Sequence, residues 1–179
     1  MALGSAGIAY QTVEVSLRAK PPELLAISPK GTVPVMQLPD GTVLEQSLDI
    51  MRWALMQNDP DGWLTSTDSK EIDRWISLCD NTFKPLLDRY KYANRHPELT
   101  MEEHRAKAIS AFILPLENAL QAKRSVASRA SLADVAMFPF VRQFAAVDQV
   151  WFDAQPLPAL QHWLARWLAS DLFATVIKK

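Results

Sequence analysis

The sequence predicts a small α/β unit followed by an all-helical bundle, and three observations carry that expectation. A strong turn, Asp40-Gly41, separates the apolar runs Val35–Leu38 and Thr42–Leu44, the pattern of a β-hairpin. The segment Asn58-Asp59-Pro60-Asp61-Gly62 is the clearest break in the chain, and no glycine follows it. Beyond it, apolar residues recur at helical rather than strand spacing.

Gln11–Ser16 reads as a strand, with Val13 and Val15 alternating against Thr12 and Glu14. Pro21-Pro22 interrupts the chain, and Glu23–Ile27 has room for one short helix. Pro34–Leu38 is a second strand, opening on a proline that only a strand start or edge tolerates. Thr42–Leu44 returns beside it. Ser47 is placed to cap a helix running to about Met56.

In the second half, Ile72, Trp75, Ile76, Cys79, Phe83, Leu86, Leu87 and Tyr90 form one helical stripe, with Pro85 expected to kink its helix. Thr100 with Glu103 is a capping box for a second long helix carrying Ile109, Phe112, Ile113, Leu116 and Leu120. Ser131-Leu132-Ala133-Asp134 is another cap signature, leading into Val135, Phe138, Phe140, Val141 and Phe144. Pro156 and Pro158 open a last segment with Leu160, Trp163, Leu164, Trp167 and Leu168 as bundle core.

Composition excludes several function classes. The 179 residues are 49% hydrophobic and 22% charged, ordinary for a globular protein. A net charge of -1 without a clustered basic face argues against nucleic acid as a partner. No apolar run reaches membrane-spanning length, and Met1–Tyr10 has no signal-peptide pattern, so a cytoplasmic location is expected. The single cysteine, Cys79, forms no internal disulfide, and His96, His104 and His162 lack metal-ligand spacing. No metal is expected. Cys79 falls on the apolar stripe, where an inert buried thiol outweighs a redox nucleophile.

Two short motifs carry chemistry. Ser28-Pro29-Lys30-Gly31-Thr32-Val33-Pro34-Val35 places a glycine turn before a Val-Pro step at a strand start. Gln46-Ser47 sits at a helix N-terminus, where free N–H groups and partial positive charge suit a carboxylate. Together, at this spacing, they resemble the glutathione-binding half of glutathione S-transferases. The resemblance covers nearly the whole chain, with residues 1–57 similar to the thioredoxin-like N-terminal domain and residues 65–179 to the all-helical C-terminal domain.

The resemblance implies a cis Val33–Pro34 bond, with the Val33 backbone and Pro34 holding the cysteinyl part of glutathione and Gln46 and Ser47 its γ-glutamyl part. Glutathione is the implied co-substrate and a small electrophile the implied partner, with a homodimer as the implied assembly. The first long helix of the family faces the glutathione cleft, so Phe83, Leu87 and Tyr90, with Leu86 and the Tyr90-Lys91-Tyr92/Arg95 cluster, are candidates for the electrophile pocket; plain helical core is the alternative. Ser131 and Asp134 match a folding cap, not a catalytic pair. Met1–Tyr10 resembles the end of the family's first helix. The implied first strand and most of that helix, about 15–20 residues at ordinary element lengths, are absent, and no residue here is assigned as the thiol-activating catalyst. The expected function is glutathione transfer to an electrophile; a non-catalytic binding or assembly protein of the same fold is the alternative.

Overall fold

The hairpin forms where Asp40-Gly41 places it. Gly41 adopts φ +87°, a conformation that favours glycine. The Asp40 carboxylate accepts the Thr42 N–H at 2.9 Å, and the Leu38 N–H donates to the Thr42 carbonyl at 2.8 Å. Strand β1 (Met36–Gln37) thus pairs antiparallel with β2 (Val43–Leu44), Met36 opposite Leu44 and Gln37 opposite Val43. The computed structural model describes residues 1–16, 18–64 and 68–177, and the chain divides into two compact units, Met1–Leu64 and Thr65–Lys179.

In the first unit, α1 (Ala2–Ser5) packs on α3 (Ser47–Gln57), burying Ala2, Ala6, Ile50, Ala54 and Leu55. Between them, α2 (Pro22–Ile27) starts on Pro22, which gives up an N–H that a first helical turn does not use. Polar ties close the unit. Ser5 Oγ donates to Asp61 at 2.6 Å, Asn58 Nδ2 to the Ala6 carbonyl at 3.2 Å, and the two Asp59 oxygens accept the Trp63 and Leu64 N–H groups at 2.8 Å each.

The expected strand over Gln11–Ser16 is not formed. Residues 11–15 lack regular structure, Val13 is 74% exposed, and Ser16 makes only an isolated bridge to Ala19. Alternation of side chains signals two faces, but a strand exists only where a neighbour completes its hydrogen bonds. Among the described residues, the hairpin is the only ladder. Its strands are also shorter than predicted.

The second unit is helical. Helix α4 (Ser69–Leu78) passes through a π turn, Cys79–Phe83, into α5 (Lys84–Lys91); α6 (Met101–Ala108) passes through another, Ile109–Ile113, into α7 (Leu114–Lys123). Each π turn ends two residues before a proline in the first turn of the next helix, Pro85 or Pro115. A proline has no N–H and clashes with the carbonyl four residues back; a π turn relieves that conflict without ending the helix. The two turns pack together, and Phe83 stacks on Phe112 with centroids 4.2 Å apart and planes at 9°. The anticipated stripe is otherwise buried, with Leu86 only half-buried.

Thr100 and Glu103 form the reciprocal capping box of α6. The bundle continues with α8 (Leu132–Val147), α9 (Gln149–Asp153), α10 (Pro158–Leu168) and α11 (Asp171–Ile177). The short helices α9 and α11 escaped the sequence reading because their apolar content is too brief for periodicity. Their starts were nonetheless marked: Asp148 accepts the Trp151 N–H at 3.0 Å, and Ser170 Oγ accepts the Phe173 N–H at 3.2 Å.

Two buried carboxylates tie these helices together. Asp134, fully buried, accepts the Ser131 N–H at 3.0 Å, the Ser131 and Ser125 hydroxyls at 2.8 Å each, and the Trp163 indole N–H at 2.9 Å. Glu117 of α7 receives the Leu160 and Ala159 N–H groups at 2.7 and 3.2 Å, capping α10 from a neighbouring helix. Removing a buried acceptor strands its donors without water. Asp134→Ala is therefore expected to lower unfolding free energy by about 3 kcal/mol, read by urea denaturation; a loss under about 1 kcal/mol would show that the donors find other partners.

Candidate functional site

The loop between α2 and β1 is shaped by one glycine. Gly31 lies at φ +57° and donates its N–H to the Ser28 carbonyl at 2.8 Å. A Cβ at this position would stand 2.9 Å from Lys20 Cδ and 3.0 Å from Leu25 Cδ2. Both conformation and space therefore favour glycine. The chain then reaches Val33–Pro34, whose peptide bond is cis, as the sequence analysis expected. Val33 is 45% exposed, and among the described residues its backbone N–H and C=O make no hydrogen bond.

The hairpin carries the chain back to this loop. Directly after β2, Glu45 Oε1 accepts the Ser28 hydroxyl at 2.6 Å, and Glu45 Oε2 accepts Lys30 Nζ at 3.2 Å. These bonds hold the Glu45 carboxyl below the usual carboxylate range, the Ser28 hydrogen bond being the larger cause and Lys30 the next. A lowered value means the contribution is present above the ordinary carboxylate range and lost only as acid protonates the folded carboxylate.

Gln46 and Ser47 follow at the start of α3. The expectation that Ser47 caps this helix is corrected: Gln46 is the flanking residue, in extended conformation, Ser47 is the first helical residue, and no side chain caps the end. The reason is local. A residue already in the first turn cannot fold its hydroxyl back onto the turn's own N–H groups as a flanking residue does. The first recorded bond into the helix is Ile50 N–H to the Gln46 carbonyl at 3.0 Å, so the N–H groups of residues 47–49 have no acceptor within it. Both Gln46 and Ser47 are exposed. The Ser47 hydroxyl stands in the same turn as this cluster of N–H groups, where the helix carries partial positive charge.

The structure brings Val33, Pro34, Gln46 and Ser47 into one unit, with loop and helix start linked through Glu45 and Ser28. That link was missed in the sequence. Seventeen residues separate its partners, and no local pattern pairs them.

Phe83, Leu87 and Tyr90 are placed in the helical core of the second unit instead of on a ligand-facing surface. They are 0%, 4% and 1% exposed. Phe83 stacks on Phe112, and Tyr90 lies 5.2 Å from Phe144, centroid to centroid. Helical spacing identifies a stripe but not what covers it, and here the neighbouring helices do. Tyr92 remains half-buried, with Arg95 over its ring at 4.5 Å. Among the described residues, no group of three or more His, Cys, Asp or Glu side chains is placed to hold a metal ion.

Comparison with known proteins bears on the fold. Residues 1–55 match the family model "Glutathione S-transferase, N-terminal domain". No curated protein matches the chain by sequence. Solved structures similar to it include the ternary complex of BphK, a bacterial GST (20% identity, 99% of this chain and 90% of that one, TM-score 0.81). Another is the glutathione transferase URE2P6 from Phanerochaete chrysosporium in complex with oxidized glutathione (19% identity, 99% and 87%, TM-score 0.83). The glutathione S-transferase from Xylella fastidiosa is similar at 21% identity, 99% and 89% coverage, and TM-score 0.79.

Cys79 is 2% exposed, and burial pushes its thiol up to about 12. The thiolate is the reactive form, so it is scarce at any working pH. Native protein at pH 8 should therefore resist a thiol reagent such as iodoacetamide, with labelling appearing only on unfolding in urea; rapid native labelling would contradict this burial. Since the matched N-terminal model and the structural neighbours agree, the chain has the glutathione S-transferase fold, a thioredoxin-like unit followed by an all-helical domain.

Proposed function

We propose that this chain binds glutathione and uses it against a small electrophile. The observation that carries the reading is the start of α3: Ser47 and Gln46 are exposed, no side chain caps the helix, and the adjoining loop presents an unpaired Val33 backbone. In this reading the Val33 N–H and C=O pair with the cysteinyl residue, extending the short hairpin as a strand would. The γ-glutamyl carboxylate sits on the α3 N–H groups and the Ser47 hydroxyl, with Gln46 supplying an amide to the same residue. The solved complex of URE2P6 with oxidized glutathione supports glutathione as the ligand class. A homodimer belongs to the same reading, and sedimentation velocity tests it.

Chemistry requires a thiolate. A free thiol is only a few per cent ionised at neutral pH, so an unassisted site turns over slowly. This favours a second reading, a glutathione-binding protein without transferase activity. Two observations support it: Ser5 donates its hydroxyl to Asp61 at 2.6 Å, and Cys79 lies in the core. Neither is available as an activating group.

Calorimetric titration of glutathione is the test of binding. The Gln46→Ala/Ser47→Ala double variant should bind at least about tenfold more weakly than the wild-type chain, the loss of roughly two hydrogen bonds to a charged group. Equal affinity in both proteins, or no binding by the wild type, sinks the assignment. Conjugation of glutathione to an aryl halide above the uncatalysed rate then separates the two readings.

A further inference from the structure

Glu45 stands immediately before Gln46–Ser47 and is bonded to the far end of the Val33 loop. Its two contacts there are unequal. Lys30 is 67% exposed at the side chain, and an exposed ion pair is screened and weak. Ser28 is fully buried, donates its hydroxyl to Glu45 at 2.6 Å, and accepts the Gly31 N–H on its carbonyl at 2.8 Å. A charge-assisted bond from a buried hydroxyl is short and persistent. It reaches the glycine turn from inside, five residues before the Val33 backbone.

We propose that Glu45 is a positioning residue: through Ser28 it holds the 28–34 loop at a set spacing from the start of α3, so that one glutathione molecule can engage Val33 and Ser47 together. This rests on the glutathione reading of the site, while the tether itself belongs to the free chain. Binding two ends of one ligand depends on keeping their receptors preorganised; a loop free to drift must be ordered at the moment of binding. The sheet offers little help, because two strands of two residues each make a marginal support.

Charge alone predicts the opposite effect. A carboxylate beside a helix N-terminus repels an incoming carboxylate, so neutralising Glu45 by itself would tighten binding. The tether separates the variants. Glu45→Gln keeps an acceptor for the Ser28 hydroxyl and loses the charge; Glu45→Ala loses both.

The experiment is glutathione calorimetry on the full chain and on Glu45→Gln, Glu45→Ala, Ser28→Ala and the double variant Ser28→Ala/Glu45→Ala. Amide exchange at Gly31 is followed in each protein without ligand. Glu45→Ala and Ser28→Ala should each weaken binding roughly tenfold, with the double variant no worse than either single change. Glu45→Gln should bind at least as well as the wild type. Gly31 exchange should quicken in the alanine variants and stay unchanged in Glu45→Gln. Unchanged or tighter binding by Glu45→Ala overturns the proposal, as does Glu45→Gln falling alongside it. A wild-type chain that binds no glutathione overturns the reading of the site itself, and the Gly31 comparison then decides the tether on its own.

Discussion

The helical unit depends on one buried carboxylate. Asp134 gathers four donors: the backbone and hydroxyl of Ser131, the Ser125 hydroxyl, and the Trp163 indole. A charge in a dry interior is tolerable only when its lone pairs are satisfied, and an incomplete set is worse than an apolar replacement. The same atom cluster fixes where α8 begins, how the preceding loop turns, and where α10 crosses. Apolar packing around it, from Phe138 to Trp163 and Trp167, adds area without direction. Direction comes from the hydrogen bonds.

The N-terminal unit is held differently. Its buried apolar residues are few, with Ala2, Ala6 and Ala54 beside Leu24, Ile50, Leu55 and Trp63. Among the described residues its sheet is a single short hairpin. Polar ties at the loop ends carry the geometry: Asp59 closes the chain after α3, Asn58 and Asp61 reach back to α1, and Glu45 joins the hairpin to the loop before it. The Asp59, Asn58 and Asp61 ties lie near the surface and are modest in strength; the Glu45 tie is made by the buried Ser28 hydroxyl. A site built this way is shaped by a few hydrogen bonds more than by close packing, so single polar substitutions should alter its geometry while leaving the fold standing.

That arrangement also separates recognition from chemistry. A helix N-terminus and an unpaired backbone step recognise a peptide-like anion through groups every sequence possesses. Lowering a thiol pKa needs a specific side chain at a specific atom. In the proposed reading, Val33 and the start of α3 supply the first kind of group. The side chains that tempt as the second kind are otherwise engaged, Cys79 by burial and Ser5 by Asp61.

The sequence by itself determined whatever depends on near neighbours in the chain. The Asp40-Gly41 turn, the cis step at Val33–Pro34 through its family motif, the capping box of α6 and the helical stripe from Ile72 to Tyr90 were legible because residues within a few positions decide them. Tertiary structure decided whatever needs a distant partner. Gln11–Ser16 alternates like a strand but finds no ladder to join. Phe83 and Tyr90 lie on a recognisable stripe, yet only Phe112 and Phe144 determine that they are core and not pocket. Ser47 has the chemistry of a cap, but the backbone around Gln46 starts the helix one residue earlier than a Ser47 cap would and leaves its hydroxyl uncommitted. The Ser28–Glu45 bond has no sequence signature because hydrogen bonding across a loop is set by where folding brings two atoms, a property of the closed chain rather than of either residue.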